Sequence, residues 1–217
     1  MKKVALIVAG GKGNRMNSEI PKQFLLLNGT PILMQTLNQV SYFDELILVL
    51  SETEFNTWET LCKEYNFTLK HTLVAGGVNR FTSVKNGLRK VDRDAVVAIH
   101  DGVRPLISKN LIKQAITSTK KGYGVVPVIA VKDSLRKLDG NKSTAIDRSS
   151  LFKVQTPQCF FASTIKDAYM QNFSLFFTDD ASVLESNGGK ITAIQGDEKN
   201  IKITTLQDLK IAEIFIQ

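Results

Sequence analysis

Short apolar runs alternate with stretches of helical periodicity along this chain of 217 residues. Lys3–Val8 and Glu45–Leu50 are nearly continuous apolar runs, as expected of strands buried on both faces. Between them, Thr30-Pro31 offers an N-cap with proline at the first helical position, and Ile32, Leu33, Leu37 and Val40 then share one helix face. Ser51 and Glu54 have capping-box spacing ahead of a helix with Phe55, Trp58, Leu61, Cys62 and Tyr65 on its apolar side. Thr72–Val74 is predicted as a short strand, and Asn79 as the cap of a helix carrying Phe81, Val84, Leu88 and Val91. Ala95–Ile99 is a fourth strand, a helix with Leu111, Ile112, Ala115 and Ile116 follows, and Tyr123–Val128 is a fifth strand. Helical periodicity returns at Thr164–Met170, Asp179–Glu185 and Thr205–Ile216, the last opened by a Thr205–Asp208 capping box.

Apolar strands alternating with amphipathic helices predict a Rossmann-like α/β fold, a mostly parallel sheet with helices on both faces. Ligands of such sheets bind outside the carboxyl ends of the strands, so chemistry is sought just after each strand. The pattern breaks between Ala130 and Arg148, where polar and apolar residues alternate around the turn signal Asp139-Gly140-Asn141. That stretch carries Lys132, Arg136, Lys137, Lys142 and Arg148 and has little to bury, which reads as a β-arm projecting from the domain at about 130–150.

The length fits one domain over 1–217 with that appendage, enough to bury roughly 70% of the surface of the unfolded chain. With 43% hydrophobic and 23% charged residues, wholesale disorder is excluded. The longest apolar stretches, Val4–Ala9 and Leu46–Leu50, are too short to span a bilayer, and no stretch reads as a signal peptide. Two cysteines, Cys62 and Cys159, make no disulfide framework and fit a reducing compartment, so a cytoplasmic location is expected. The 28 basic residues exceed the 21 acidic ones by +7. They are spread along the chain, with no run longer than Lys2-Lys3 and Lys120-Lys121, and neither an RNA-recognition signature nor Cys/His finger spacing occurs. The surplus suits an enzyme of polyanionic small molecules better than a nucleic-acid binder.

Directly after the first strand comes Ala9-Gly10-Gly11-Lys12-Gly13-Asn14-Arg15-Met16, followed by Pro21-Lys22-Gln23-Phe24. Gly10, Gly11 and Gly13 let backbone N–H groups approach an anion closely. It is neither a Walker A loop nor a dinucleotide fingerprint, since Met16 stands where the third glycine belongs, which also disfavours an NAD-dependent oxidoreductase. Arg15 and Lys22 in one loop repel each other unless something anionic lies between them, and a triphosphate supplies that. Arg104, in His100-Asp101-Gly102-Val103-Arg104-Pro105, offers a fork suited to phosphate or to an ion pair that fixes the loop. Thr156 and Thr178 offer hydroxyls to a phosphate, a polyol or the local backbone, and Asp101 a carboxylate to sugar hydroxyls or to its own turn. With two histidines and no evident His–carboxylate pair, His100 is expected to pack or orient its loop rather than act as a base.

Gly-Gly-x-Gly-x-Arg-Met followed by Pro-Lys-Gln resembles the signature loop of the sugar-phosphate nucleotidyltransferases, and within them the cytidylyltransferases acting on 2-C-methyl-D-erythritol 4-phosphate. Gly76-Gly77 with Arg80, Ser83, Asn86 and Gly87 is similar to their second motif, and His100–Pro105 to their third. Asp147-Arg148 with Gln155-Thr156-Pro157-Gln158, then Thr178–Ser182 and Asn200-Ile201-Lys202, complete the set in order. The resemblance implies CTP plus a polyol phosphate giving a CDP-polyol and pyrophosphate, in non-mevalonate isoprenoid precursor synthesis. It implies Arg15 and Lys22 at the phosphates, and Arg148 and Lys202 at the incoming phosphate. Ser83 would recognise cytosine with backbone around Ala9, Gly10 and Gly76, and Asp101 would be among the substrate contacts. Mg²⁺ would be held mainly by phosphates and water rather than by protein side chains. It further implies a homodimer in which Arg148 comes from the arm of a second subunit, with no membrane or nucleic-acid partner. Ribitol-5-phosphate cytidylyltransferases share these motifs; Asp147-Arg148 before the Gln-Thr-Pro-Gln strand favours methylerythritol phosphate. A non-catalytic nucleotide- or RNA-binding module is the reading of another class, and the presence of both Arg15 and Lys22 argues against it.

Overall fold

The first apolar run forms strand β1 (Lys3–Val8), whose side chains alternate between two apolar clusters: Val4 and Leu6 in one, Ala5 and Ile7 in the other, all four fully buried. A strand buried on both sides needs a cover on each. The structure, a computed structural model, describes residues 1–10 and 20–216.

A 3₁₀ turn (Lys22–Phe24) and the short pair β2 (Leu26–Leu27) and β3 (Thr30–Pro31) lead into α1 (Ile32–Gln39) and β4 (Glu45–Leu50). Then come α2 (Phe55–Glu64), β5 (Thr72–Ala75), α3 (Arg80–Leu88), β6 (Val96–Asp101), α4 (Lys109–Thr117) and β7 (Tyr123–Ala130). Strands β8 (Leu135–Asp139), β9 (Lys142–Ile146), β10 (Phe152–Val154) and β11 (Gln158–Phe161) precede α5 (Ala162–Ala168) and α6 (Asp180–Ser186). Strand β12 (Lys190–Gln195) and α7 (Leu206–Ile216) end the described chain.

Strands β6, β1, β4 and β5 lie side by side and parallel. Strand β11 pairs antiparallel with both β6 and β7, β10 continues that pairing along the end of β7, and β12 runs parallel to β7. Helices α1, α2 and α4 cover the face of Ala5 and Ile7 through Leu33, Leu37, Trp58, Leu111 and Ile112. Helices α3, α5 and α6 cover the other face through Phe81, Val84, Ile165 and Leu184. Helix α3 lies so close that a Cβ at Gly87 would meet Leu6 Cδ1 at 2.4 Å. The expected mostly parallel, doubly covered α/β sheet is what forms.

Two caps differ from expectation. Thr30 pairs with Leu27 in the short β2–β3 ladder, so Pro31 itself stands at the N-cap of α1 without a side-chain cap. Ser51 and Glu54 make no capping box: a 3₁₀ turn (Glu52–Glu54) opens the segment, and the Ser51 hydroxyl bonds Thr53 Oγ1 at 2.8 Å. Asn79, by contrast, caps α3 in a reciprocal box with Thr82, and the Thr205–Asp208 box forms in both directions at 3.1 and 2.8 Å. The arm is a hairpin of β8 and β9, which among the described strands pair only with each other and are exposed along almost their whole length. No described helix is long and apolar enough to cross a membrane.

Candidate active site

The ends of β1, β4, β5 and β6 open into one cavity of about 460 Å³. Ala9 and Gly10 follow β1, Ser51 follows β4, Gly76 follows β5 and Asp101 ends β6, so the sheet's carboxyl edge supplies the floor. Lys22 and Lys202 join them in the lining from outside the sheet. A Cβ at Gly76 would sit 3.1 Å from Ser83 Oγ, and one at Gly10 3.6 Å from it, so the two glycines keep the backbone close to that hydroxyl. Ser83 is buried in the first turn of α3; its Oγ accepts from Gly77 N–H at 3.0 Å and donates to the Asn79 carbonyl at 2.8 Å.

Asp101 is the electrostatic centre. Its Oδ2 lies 3.0 Å from Arg104 Nε and 3.1 Å from Lys202 Nζ, and its Oδ1 4.0 Å from Arg80 Nε. Burial opposes its ionised form, but the charges of Lys202, Arg80 and Arg104 override that and hold it well below the usual carboxylate range. A carboxylate thus committed is an anion at any working pH. It offsets the mutual repulsion of three cations gathered around it.

His100, next to it, is fully enclosed. Its Nδ1 lies 2.9 Å from Thr156 Oγ1 and its Nε2 3.1 Å from the Arg104 carbonyl. The carbonyl can only accept, so the proton sits on Nε2 and Thr156 donates to Nδ1, while Thr156 Oγ1 accepts from Asp101 N–H at 3.1 Å. Burial pushes the imidazole down to about 4, so the ring is neutral and positions Arg104 and Asp101. This is the loop-orienting part expected of it. Thr156 reaches Asp101, but its hydroxyl is taken up within the protein.

Arg104 is buried too: besides Asp101 it donates from Nη1 to the Asn200 carbonyl at 2.8 Å. The Gln-Thr-Pro-Gln segment acts as a clamp. Gln155 bonds the backbone of Asp197 through both ends of its amide, and Gln158 holds Ala181 N–H and the Asp179 carboxylate. The Gln158 contacts fix the start of α6, whose Asp180 is fully buried and grips Arg80 at 2.8 and 2.6 Å. Tyr169 donates to the same carboxylate at 2.6 Å; burial and the Asp180 charge raise its phenol well above its ordinary pKa, so it stays a donor. Sequence reasoning gave Arg80 and Asp180 no role of their own, because the pair is separated by 100 positions and no local spacing connects them.

Of the expected site residues, the structure brings together Ala9, Gly10, Lys22, Gly76, Ser83, Asp101 and Lys202 in the main cavity. Arg104 joins Lys202 in an adjoining cavity of about 310 Å³ at the foot of the arm. Gly11, Gly13 and Arg15 lie outside the described residues. Thr178 is exposed just ahead of α6, and Arg148 is exposed at the end of the arm; neither lines these cavities of its own chain.

Residues 3–217 match the family model described as 2-C-methyl-D-erythritol 4-phosphate cytidylyltransferase. A protein of that name from Azobacteroides pseudotrichonymphae is 48% identical over 220 residues, covering 99% of this chain and 98% of its own. Another from Bacteroides fragilis is 47% identical, covering 100% of both chains. Among solved structures, a 4-diphosphocytidyl-2C-methyl-D-erythritol synthase superposes with a TM-score of 0.83 at 25% identity, over 100% of this chain and 98% of that one. With the model spanning nearly the whole sequence and relatives this similar over their full length, the chain belongs to the 2-C-methyl-D-erythritol 4-phosphate cytidylyltransferase family.

Proposed function

We propose that the chain transfers the cytidylyl group of CTP to 2-C-methyl-D-erythritol 4-phosphate, giving the CDP-polyol and pyrophosphate for non-mevalonate isoprenoid precursor synthesis. The observation that carries this reading is the cavity at the strand ends, with Lys22, Arg80 and Lys202 in its wall and one carboxylate, Asp101, between cations. The polyol's phosphate oxygen attacks the α-phosphorus, and the bond from that phosphorus to the bridging oxygen of the β-phosphate breaks. A phosphate monoester with a second pKa of about 6 is largely dianionic at neutral pH, so the attack needs no general base. A buried, neutral His100 fits that chemistry.

The barrier is the approach of a dianion to a tetra-anion, and positioned cations lower it. Lys22, with Arg15, serves the α-phosphate and the departing pyrophosphate; Lys202 and Arg148 seat the incoming phosphate. Asp101 and Arg104 frame the polyol, with Thr156 behind them and Thr178 at the rim. Ser83 and the backbone at Ala9, Gly10 and Gly76 frame the base. Mg²⁺ accompanies the nucleotide and offsets phosphate charge when bound. Asp101 is already saturated by cations, a donor chemistry that suits a metal held by phosphate oxygens and water. Arg148 reaches the site from a second copy through the exposed arm, making a homodimer, and the enzyme works in the cytoplasm.

The test is pyrophosphate release with CTP and each of the two polyol phosphates in turn. Turnover should need CTP, with ATP and GTP poor substitutes because a site built for cytosine leaves buried polar groups unpaired against a purine. Equal rates with all three nucleotides, or turnover with ribitol 5-phosphate alone, would reject the reading.

A further inference from the structure

Arg80 stands between two carboxylates. It opens α3 in the wall of the main cavity, and Asp180, which opens α6, holds its two terminal nitrogens at 2.8 and 2.6 Å. Asp180 is sealed from solvent. Tyr169, itself buried and stacked on Phe81 with centroids 4.7 Å apart, donates a third hydrogen bond to it. The other carboxylate is Asp101, also in the cavity wall, whose Oδ1 lies 4.0 Å from Arg80 Nε. That is an ion-pair distance, too long for a hydrogen bond. Asp101 uses its two oxygens unequally. Oδ2 meets Arg104 Nε at 3.0 Å and Lys202 Nζ at 3.1 Å, whereas Oδ1 accepts no hydrogen bond among the described residues. Nor is Oδ1 one of the described side-chain atoms sealed from solvent without a partner, so it is open to the cavity. An open carboxylate oxygen in such a wall suits a substrate hydroxyl, which can donate to it.

What keeps that oxygen open is the grip on Arg80 from behind. A guanidinium is drawn most strongly to a carboxylate that it can meet with two parallel hydrogen bonds. Asp180 takes that pairing, and Arg80 stays 4.0 Å from Asp101. Without Asp180, Asp101 is the one carboxylate left within ion-pair reach of Arg80 among the described residues. A buried ion pair is weak evidence for stability, since apolar residues of similar volume often serve as well. What an apolar pair would not reproduce is the placement of the guanidinium. We propose that Asp180 and Tyr169 are positioning residues: they hold Arg80 back, so that Asp101 Oδ1 stays free to accept a hydroxyl of the polyol phosphate. The proposal rests on the cytidylyltransferase reading, in which Asp101 frames the polyol.

The test is steady-state kinetics of wild type, Asp180→Asn, Tyr169→Phe and the double variant Asp180→Asn with Arg80→Met, each substrate varied at saturation of the other. Asp180→Asn should raise the KM for 2-C-methyl-D-erythritol 4-phosphate about tenfold, the scale of one hydrogen bond lost at a charged acceptor. The KM for CTP and kcat should stay within about twofold, as for an interaction made equally in ground and transition states. Tyr169→Phe keeps the ring and its stacking, which keeps the test open if Asp180→Asn does not fold. It should raise the same KM by about threefold, since one of the three hydrogen bonds on Asp180 is lost. In the double variant no arginine is left to turn onto Asp101, and most of the tenfold loss should be recovered. Equal rises in both KM values would mark a merely structural role and overturn the proposal. So would a double variant no better than Asp180→Asn, or a folded Tyr169→Phe with both KM values unchanged. Failure of the underlying reading is separate: wild type would release no pyrophosphate from CTP. A crystal structure of Asp180→Asn reports the geometry in either case. Arg80 Nε within about 3 Å of Asp101 Oδ1 is the expected result, and a spacing still near about 4 Å would overturn the proposal.

Discussion

At the scale of single residues, the site is held in shape by buried groups in and behind its wall. His100 stays neutral because burial holds it at about 4, while in the unfolded chain it titrates near 6.5. Between those values the unfolded state binds the proton and the folded state does not. Stability therefore falls as pH drops from about 6.5 toward 4, by on the order of 3 kcal/mol at full effect. Asp101 adds little in that window: its contribution is lost mainly below about pH 4, where the unfolded carboxyl takes up a proton and the folded one, held by cations, does not. Thermal melts at pH 6.5 and 4.5 should show a steep loss of Tm in the wild type and a clearly smaller one in His100→Gln. Equal losses would mean that the imidazole is not the proton-sensitive group.

At the scale of elements, the cavity depends on where helices begin. Asn79 accepts from Thr82 N–H at 2.8 Å and fixes the entry to α3, and that turn carries Ser83 and the Gly76–Arg80 segment along the cavity. Asn79→Ala should cost about 1 kcal/mol in urea unfolding. It should also raise the KM for CTP more than that for the polyol phosphate; a stability loss with both KM values unchanged would detach the cap from the site. This cap was legible in the sequence because it is local, as were β1, β4, β6, the arm's hairpin and the Thr205–Asp208 box. What a local pattern misses is a competing partner or a distant one. Thr30 reads as a cap until Leu27 claims its backbone in a ladder, and Ser51 until Thr53 takes its hydroxyl. The half-buried β12 has a partner, β7, that only the folded sheet supplies. Lys22 and Asp101 could be named in advance because their motifs follow predicted strands, and Lys202 because Asn200-Ile201-Lys202 resembles the family's motif. The grip of Asp180 on Arg80, with Tyr169 donating to the same carboxylate, exists only once remote segments meet.

At the scale of the whole molecule, the arm is the part that its own chain does not explain. Among the described strands its two pair only with each other, and Leu138, Phe152 and Val154 stand exposed along it and the strand that follows. An isolated pair of strands is marginal and leaves open edges, which a two-fold mate would cover while bringing Arg148 to the neighbour's Lys22. Mixing inactive Arg148→Ala chains with inactive Lys22→Ala chains should then restore activity through heterodimers with one intact site. No recovery despite verified subunit exchange, or full activity in a monomer, would show the site to be self-contained. The most direct test of cytidylyl transfer in this cavity is ³¹P NMR of CTP and 2-C-methyl-D-erythritol 4-phosphate mixed with wild type and with folded Lys22→Ala. The account predicts that wild type converts the monoester resonance to a diphosphate ester with release of pyrophosphate, and that Lys22→Ala is slower by about 10²–10³-fold, the scale of one lost charge-stabilising group. No diphosphate ester from wild type, or Lys22→Ala within about threefold of it, a difference below ~1 kcal/mol, would contradict the account.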